Sequence, residues 1–162
     1  MKIGVYPGTF DPVTHGHTDI IVRSLRVFDK VIVGVAPNPA KRPLFDLAER
    51  VEMVKLVTNG LPHVEVVTFK GLLVEYVQKR KAHAVIRGLR AISDFEYEFQ
   101  MALVNRKLNK SVETVFLMPS EEYSYLTSTL IKEVARFGGR LTDFLHPQVA
   151  QRLMRRIGAR AT

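Results

Sequence analysis

Five short apolar runs rich in β-formers, at residues 2–6, 31–36, 64–69, 84–86 and 114–118, are each followed by a stretch with helical spacing. No other feature limits the fold as much. A strand that returns to its own sheet through a helix pairs parallel to its predecessor. The chain is therefore expected to be an α/β protein with a Rossmann-like, doubly wound, five-stranded parallel sheet. The runs at 31–35 and 112–117 are nearly continuous in apolar residues, as expected of strands covered by helices on both faces.

Helix signals fit the same frame. Asp46 followed by Glu49 makes a capping box ahead of a helix over 47–57, with Val51, Val54 and Leu56 on its apolar face and Asn59 and Gly60 closing it. Further helices are expected over 95–108 and 128–137, the second stopped by Gly138 and Gly139, and Pro147 suits the first turn of a last one. The chain has 162 residues and no linker rich in Gly, Ser or Pro, so a single domain over 1–162 is expected.

Composition removes whole classes of chemistry. Without cysteine there is no disulfide framework, no thiolate nucleophile and no Cys-based metal site. The opening MKIGVYPG is too short for a signal peptide, and no segment approaches the ~20 apolar residues of a membrane span, so a cytoplasmic protein with no membrane partner is expected. The excess of 24 Lys and Arg over 16 Asp and Glu suits polyanions: nucleic acid, an anionic membrane surface or phosphorylated small molecules. No nucleic-acid-binding motif is recognisable, so no such partner is expected. Part of the excess sits in Arg152, Arg155, Arg156 and Arg160, read as a solvated helical face or a frayed tail.

In doubly wound sheets, ligands bind beyond the carboxyl ends of the strands, near the point where strand order reverses. The loops there are the place to look. After the first strand come Pro7, Gly8, Thr9, Phe10, Asp11 and Pro12, then Thr14, His15, Gly16 and His17 opening a helix, without the GxGxxG dinucleotide spacing. Gly8 and Gly16 would let backbone approach a ligand, N–H groups at the helix start would favour phosphate oxygens, and His17 lies beside them. His15 and His17 lack a carboxylate at ligand spacing, so no protein metal site is expected.

The second loop, residues 37–43, is stiff and basic, with Lys41 able to reach phosphate or simply to sit in solvent. Arg87, Gly88, Leu89 and Arg90 follow the fourth strand. Two guanidiniums flanking a glycine read as a phosphate clamp, or as an ion-pair network with Asp94, Glu96 or Glu98. After the fifth strand, Tyr123, Ser124, Tyr125, Leu126, Thr127, Ser128 and Thr129 lead into a helix, where hydroxyls and N–H groups suit anions or ordinary N-capping. Four loops offer phosphate-binding chemistry at one edge of the sheet, and that convergence favours a phosphorylated ligand.

The segment Gly8-Thr9-Phe10-Asp11-Pro12 with Thr14-His15-Gly16-His17 resembles the T/HxGH signature of the nucleotidylyltransferase superfamily. Arg87-Gly88-Leu89-Arg90 with 94–98, and Thr127-Ser128-Thr129 before Lys132, resemble the bacterial phosphopantetheine adenylyltransferases over nearly the whole chain. The departures are Tyr123 and Tyr125, where relatives often have Trp and Phe, and Thr127 and Thr129, where Ser is common.

The resemblance implies transfer of the adenylyl group of ATP to 4′-phosphopantetheine with Mg²⁺ as cofactor, in a homohexamer. It assigns catalysis to His17, Lys41 and Arg90. Thr9, Lys41, Leu73, Arg87 and Met101 would bind the acceptor. ATP would be held by Thr9, Phe10, His17, Gly88, Leu89, Arg90, Glu98 and the run from Tyr123 through Ser124, Tyr125, Leu126, Thr127 and Ser128 to Thr129. Asp11 is expected to brace its loop, leaving Mg²⁺ to phosphates and water.

Overall fold

The computed structural model describes residues 1–161. In chain order the elements are β1 (Ile3–Gly8), α1 (His15–Ser24), β2 (Lys30–Val35), α2 (Leu47–Val57), β3 (Val64–Thr68), α3 (Leu73–Lys79), β4 (Ala84–Gly88), α4 (Ile92–Leu108), β5 (Glu113–Leu117), α5 (Ser128–Arg136) and α6 (Pro147–Ala161). Short 3-10 turns cover Pro39–Lys41 and Glu121–Tyr123. All strand pairs are parallel and the order is β3-β2-β1-β4-β5. The chain winds outward from β1 to β3 and then crosses to β4, so the order reverses between β1 and β4.

Side chains alternate across the sheet as the period of two requires. Tyr6, Val31, Val33, Val35, Ala84 and Ile86 face one layer, where Ile20, Ile21, Met53, Val54, Ile131 and Leu153 of α1, α2, α5 and α6 pack on them. Val5, Ile32 and Val85 face the other, against Val74 and Val77 of α3. The sheet is thus covered on both sides near β1 and β2, as the run at 31–35 implied.

Four expectations need correction. The run at 112–117 is not a doubly covered strand: β5 is an edge, Glu113 is exposed and 114–117 are only half-buried. The helix expected from 95 begins at Ile92. The capping box of Asp46 and Glu49 forms on α2, but the helix buries Arg50, Met53 and Val54, with Val51 and Leu56 at the margin. The basic C-terminal segment is not simply solvated either. Arg156 donates to Leu44 O and Glu49 and lies over the Phe45 ring, while Arg152 pairs with Glu52, so α6 docks on α2 through its charges. The Arg160 side chain lies outside the described residues.

Candidate active site

At the switch point, the carboxyl ends of β1, β2 and β4 open into a cleft of about 730 Å³. Its walls include Thr9, Phe10, His17, Lys41, Leu73, Arg87, Gly88, Arg90, Glu98, Met101, Tyr123, Leu126, Thr127, Ser128 and Thr129. The sheet topology alone gathers these residues, which lie up to 120 positions apart in sequence.

Thr14 and His17 form a reciprocal N-terminal cap on α1. The Thr14 N–H donates to His17 Nδ1 at 3.0 Å, and Thr14 Oγ1 accepts from His17 N at 3.4 Å. A backbone N–H can only donate, so Nδ1 carries the lone pair and Nε2 carries the proton. Burial, reinforced by repulsion from Arg90 and Arg87, pushes the imidazole pKa down to about 4. His17 therefore presents a neutral Nε2–H donor to the cleft. Phe10 supports it from below, its ring edge-on to the imidazole at 5.0 Å. Phe10 itself is 2% exposed and holds φ 52, so its ring serves as a packed floor of the cleft.

The expectation for the two glycines changes. A Cβ on Gly8 would lie 2.8 Å from the Phe10 ring, so glycine is needed there because the loop folds onto itself. At Gly16 the nearest atoms would be at ordinary contact distance. The helix start is also less open than expected, since His15 N–H bonds Phe144 O and His17 N–H is capped.

One corner of the cleft joins the β1 and β2 loops. Asn38 donates to Thr9 Oγ1 at 3.1 Å, and exposed Lys41 lines the same corner. Beneath it, Asp11 accepts from Leu44 N, Phe45 N and Lys132 Nζ at 2.8, 2.9 and 2.7 Å. Burial alone would raise the Asp11 pKa, but these donors outweigh it and hold the carboxyl below its ordinary value. Asp11 braces the loop, as expected.

The arginines form the expected ion pairs with Glu98 and Asp94 and keep further donors free. Arg87 Nε donates to Glu98 at 2.7 Å, its NH2 group pairs with the same carboxylate, and NH1 reaches Pro7 O at 3.2 Å. Arg90 donates to Asp94 at 3.1 Å and to Leu126 O at 3.0 Å. A guanidinium has five N–H donors, so three bonds on Arg87 and two on Arg90 leave N–H groups for phosphate. Glu98, only 8% exposed, is committed to Arg87 on both oxygens.

In the last loop, Thr127 is the N-cap of α5, accepting from Leu130 N, and Ser128 Oγ donates to Pro12 O at 2.8 Å. The N–H groups of Ser128 and Thr129, in the first turn of α5, have no intrahelical acceptor and lie at the cleft wall. Leu89, Ser124 and Tyr125 stand apart from this wall. Leu89 N–H bonds Leu117 O, Ser124 Oγ turns to Glu121 O, and the Tyr125 ring packs edge-on to Phe144.

Sequence reasoning missed several lining residues. Tyr6, Tyr97 and Asn105 join Leu73 and Met101 along the cleft. Burial pushes the Tyr6 phenol up to about 12 despite nearby Arg87 and Arg90, so it stays a donor. Arg50, the largest fully buried side chain, was also missed. Its signal was a charged residue on the helical stripe formed with Leu47, Val51 and Val54.

Among the described residues, no three His, Asp or Glu side chains gather to hold a metal ion. Asp11, the nearest acid to the Thr9 corner, has its oxygens taken by Lys132 and two backbone N–H groups. The donor set does not fit a metal cage built by the protein.

Residues 5–134 match the model of the cytidylyltransferase-like family, a family of nucleotidyltransferases. A solved structure described as a nicotinate-nucleotide adenylyltransferase from Vibrio parahaemolyticus superposes with a TM-score of 0.71 at 20% identity, over 95% of this chain and 92% of that one. The lipopolysaccharide core biosynthesis protein of Thermoplasma volcanium superposes with a TM-score of 0.58 at 22% identity, over 75% and 99%. Both likenesses speak to the fold. Over 154 residues the chain is 62% identical to the phosphopantetheine adenylyltransferase of Caldanaerobacter subterraneus subsp. tengcongensis, spanning 95% of this chain and 96% of the relative. The chain belongs to the phosphopantetheine adenylyltransferase family.

Proposed function

We propose that this chain transfers the adenylyl group of ATP to 4′-phosphopantetheine, giving dephospho-coenzyme A and pyrophosphate, a step of coenzyme A biosynthesis. The observation that carries the reading is one cleft holding Thr9, Lys41, Arg87 and Arg90 around the His17 donor, in a chain 62% identical to a relative of that name. An oxygen of the acceptor phosphate attacks the α-phosphorus, and the bond from that phosphorus to the oxygen shared with the β-phosphate breaks. The acceptor needs no strong base, because a phosphate monoester with a second pKa of about 6 is largely dianionic at neutral pH. Catalysis reduces to alignment and charge stabilisation.

In this reading His17 Nε2–H donates to the α-phosphate as negative charge builds there. Thr9, Lys41 and Arg87 hold the acceptor phosphate, and Leu73 and Met101 line the path of its pantetheine arm. Arg90, with the backbone of Ser128 and Thr129, takes the β- and γ-phosphates. Phe10, Gly88, Glu98, Tyr123, Leu126 and Thr127, all on the cleft wall, complete the nucleotide site. Mg²⁺ would arrive on the triphosphate and partly neutralise it, since the cleft offers no carboxylate cage.

No helix among the described residues is long and apolar enough to cross a membrane; a cytoplasmic location belongs to this proposal and is supported by the small, water-soluble substrates. A homohexamer is part of this proposal. On α4, Phe95, Phe99 and Leu103 on one side and Tyr97, Val104 and Leu108 on the other stand 46–62% exposed, apolar area that supports association between copies. The test uses ATP radiolabelled at the α- or the γ-phosphate. Label from the α-position should enter the acceptor product and label from the γ-position should leave as pyrophosphate; γ-label on the acceptor would mean phosphoryl transfer and overturn the reading.

A further inference from the structure

We infer that Arg50 is a positioning residue for the acceptor-phosphate corner of the cleft, locking the β1 and β2 loops together so that Thr9, Asn38 and Lys41 face one anion. The inference rests on the proposed function, which makes this corner the seat of the acceptor phosphate. Arg50 is 1% exposed and every hydrogen bond its guanidinium makes goes to a backbone carbonyl. Nε donates to Phe45 O at 3.1 Å, NH1 to Thr9 O and Ala36 O at 2.7 Å each, and NH2 to Pro37 O at 3.0 Å. Three separate chain segments meet on one planar group.

Asp11 already ties the β1 loop to Leu44 N and Phe45 N, but the β1 and β2 loops have less to join them to each other. The parallel pairing of β1 with β2 ends at Gly8 and Val35, and one further bond, Ala36 N to Gly8 O at 2.8 Å, continues it. Beyond that point the Thr9 and Pro37 backbones are joined through Arg50. Asn38 and Arg42, flanking the turn that carries Lys41, both hold left-handed φ values of 42° and 43°, a conformation that needs an outside constraint to persist. Arg50 supplies it one residue away, at Pro37 O, and Asn38 then donates to Thr9 Oγ1. With its lone pair taken in this way, the Thr9 hydroxyl can turn its proton toward the cleft.

Charge points the same way. A buried cation without a carboxylate is costly and would be replaceable by an apolar side chain if packing were its only task. The two acids that face it are committed elsewhere, Asp11 to Lys132 at 2.7 Å and Asp46 to the cap of α2, so the donors of Arg50 are left to the loop carbonyls.

Arg50→Lys and Arg50→Met test this. Lysine keeps the charge but cannot fork to four carbonyls, and methionine keeps only the stem. At equal folded fraction, checked by thermal melts, the KM for 4′-phosphopantetheine should rise on the order of 10-fold in Arg50→Lys and 100-fold in Arg50→Met, while the KM for ATP stays within about twofold. Equal rises in both KM values, or no rise, would overturn the inference.

If neither variant folds, the wild type decides. Its Arg50 Nε–H, buried and bonded to Phe45 O, can be followed in arginine-labelled protein by ¹⁵N NMR. Its signal should move with 4′-phosphopantetheine and with inorganic phosphate but not with pantetheine lacking the phosphate, and a signal indifferent to phosphate refutes the assignment. A wild type that turns over no phosphopantetheine would sink the proposed function, and the response to inorganic phosphate would still decide the role of Arg50.

Discussion

Replacing His17 by glutamine should separate the two tasks the imidazole performs. Nδ1 closes the cap on α1 by accepting from Thr14 N at 3.0 Å, and Nε2–H faces the cleft. Glutamine at the third helical position can close the same capping box, so His17→Gln should melt close to the wild type. His17→Ala loses the cap bond, costing about 1 kcal/mol, which for a chain of this size lowers Tm by roughly 2–4 °C. Chemistry should respond differently. Losing one positioned donor to a transition-state oxyanion costs roughly 2.7–4 kcal/mol, so both variants should drop kcat by about 10²–10³ with KM for ATP little changed. Continuous pyrophosphate release gives kcat, and differential scanning fluorimetry gives Tm. A glutamine variant with near-native kcat would remove Nε2–H from the mechanism, and one that melted like the alanine variant would refute the capping role.

Further expectations follow from the same geometry. His17 titrates near 4 when folded against 6.5 ordinarily, so between those values only the unfolded chain binds the proton. Its contribution, on the order of 3 kcal/mol in full, is complete above about pH 6.5 and fades as pH falls toward 4; urea melts at pH 7 and pH 5 should show a loss of roughly 2 kcal/mol, and His17→Gln should reduce it. Asp11→Asn leaves Lys132 without its partner beneath the Thr9 loop and should cost about 3 kcal/mol in denaturant melts, with a larger loss of acceptor affinity than of ATP affinity. Arg156→Ala gives up the contacts to Leu44 O, Glu49 and the Phe45 ring, which should cost about 1–2 kcal/mol while leaving kcat unchanged.

The strands and the loops after them were legible because period-two apolar runs and turn residues are local signals. The loops at β1, β2, β4 and β5 do meet at the switch point between β1 and β4, as a doubly wound sheet requires. What escaped is tertiary. The apolar content of the 112–117 run suggests a doubly covered strand, yet only its place at the sheet edge decides that Glu113 faces solvent. The C-terminal arginines looked solvated because Glu49 and Glu52, their partners on α2, are about 100 residues away. Arg50 makes no pair with any acid, and carbonyl acceptors carry no sequence signature, so its four bonds were invisible. The Thr14 and His17 pairing, by contrast, obeys the N-cap to third-residue spacing and could have been read as a cap from the start.

The most direct test of the account is a product assay with competing acceptors. Purified protein, ATP and Mg²⁺ are incubated with 4′-phosphopantetheine, nicotinate mononucleotide or glycerol 3-phosphate, and adenylylated product is measured beside pyrophosphate. Formation of dephospho-coenzyme A with phosphopantetheine alone is the predicted result, whereas turnover of a rival acceptor, or none at all from folded protein, would contradict it.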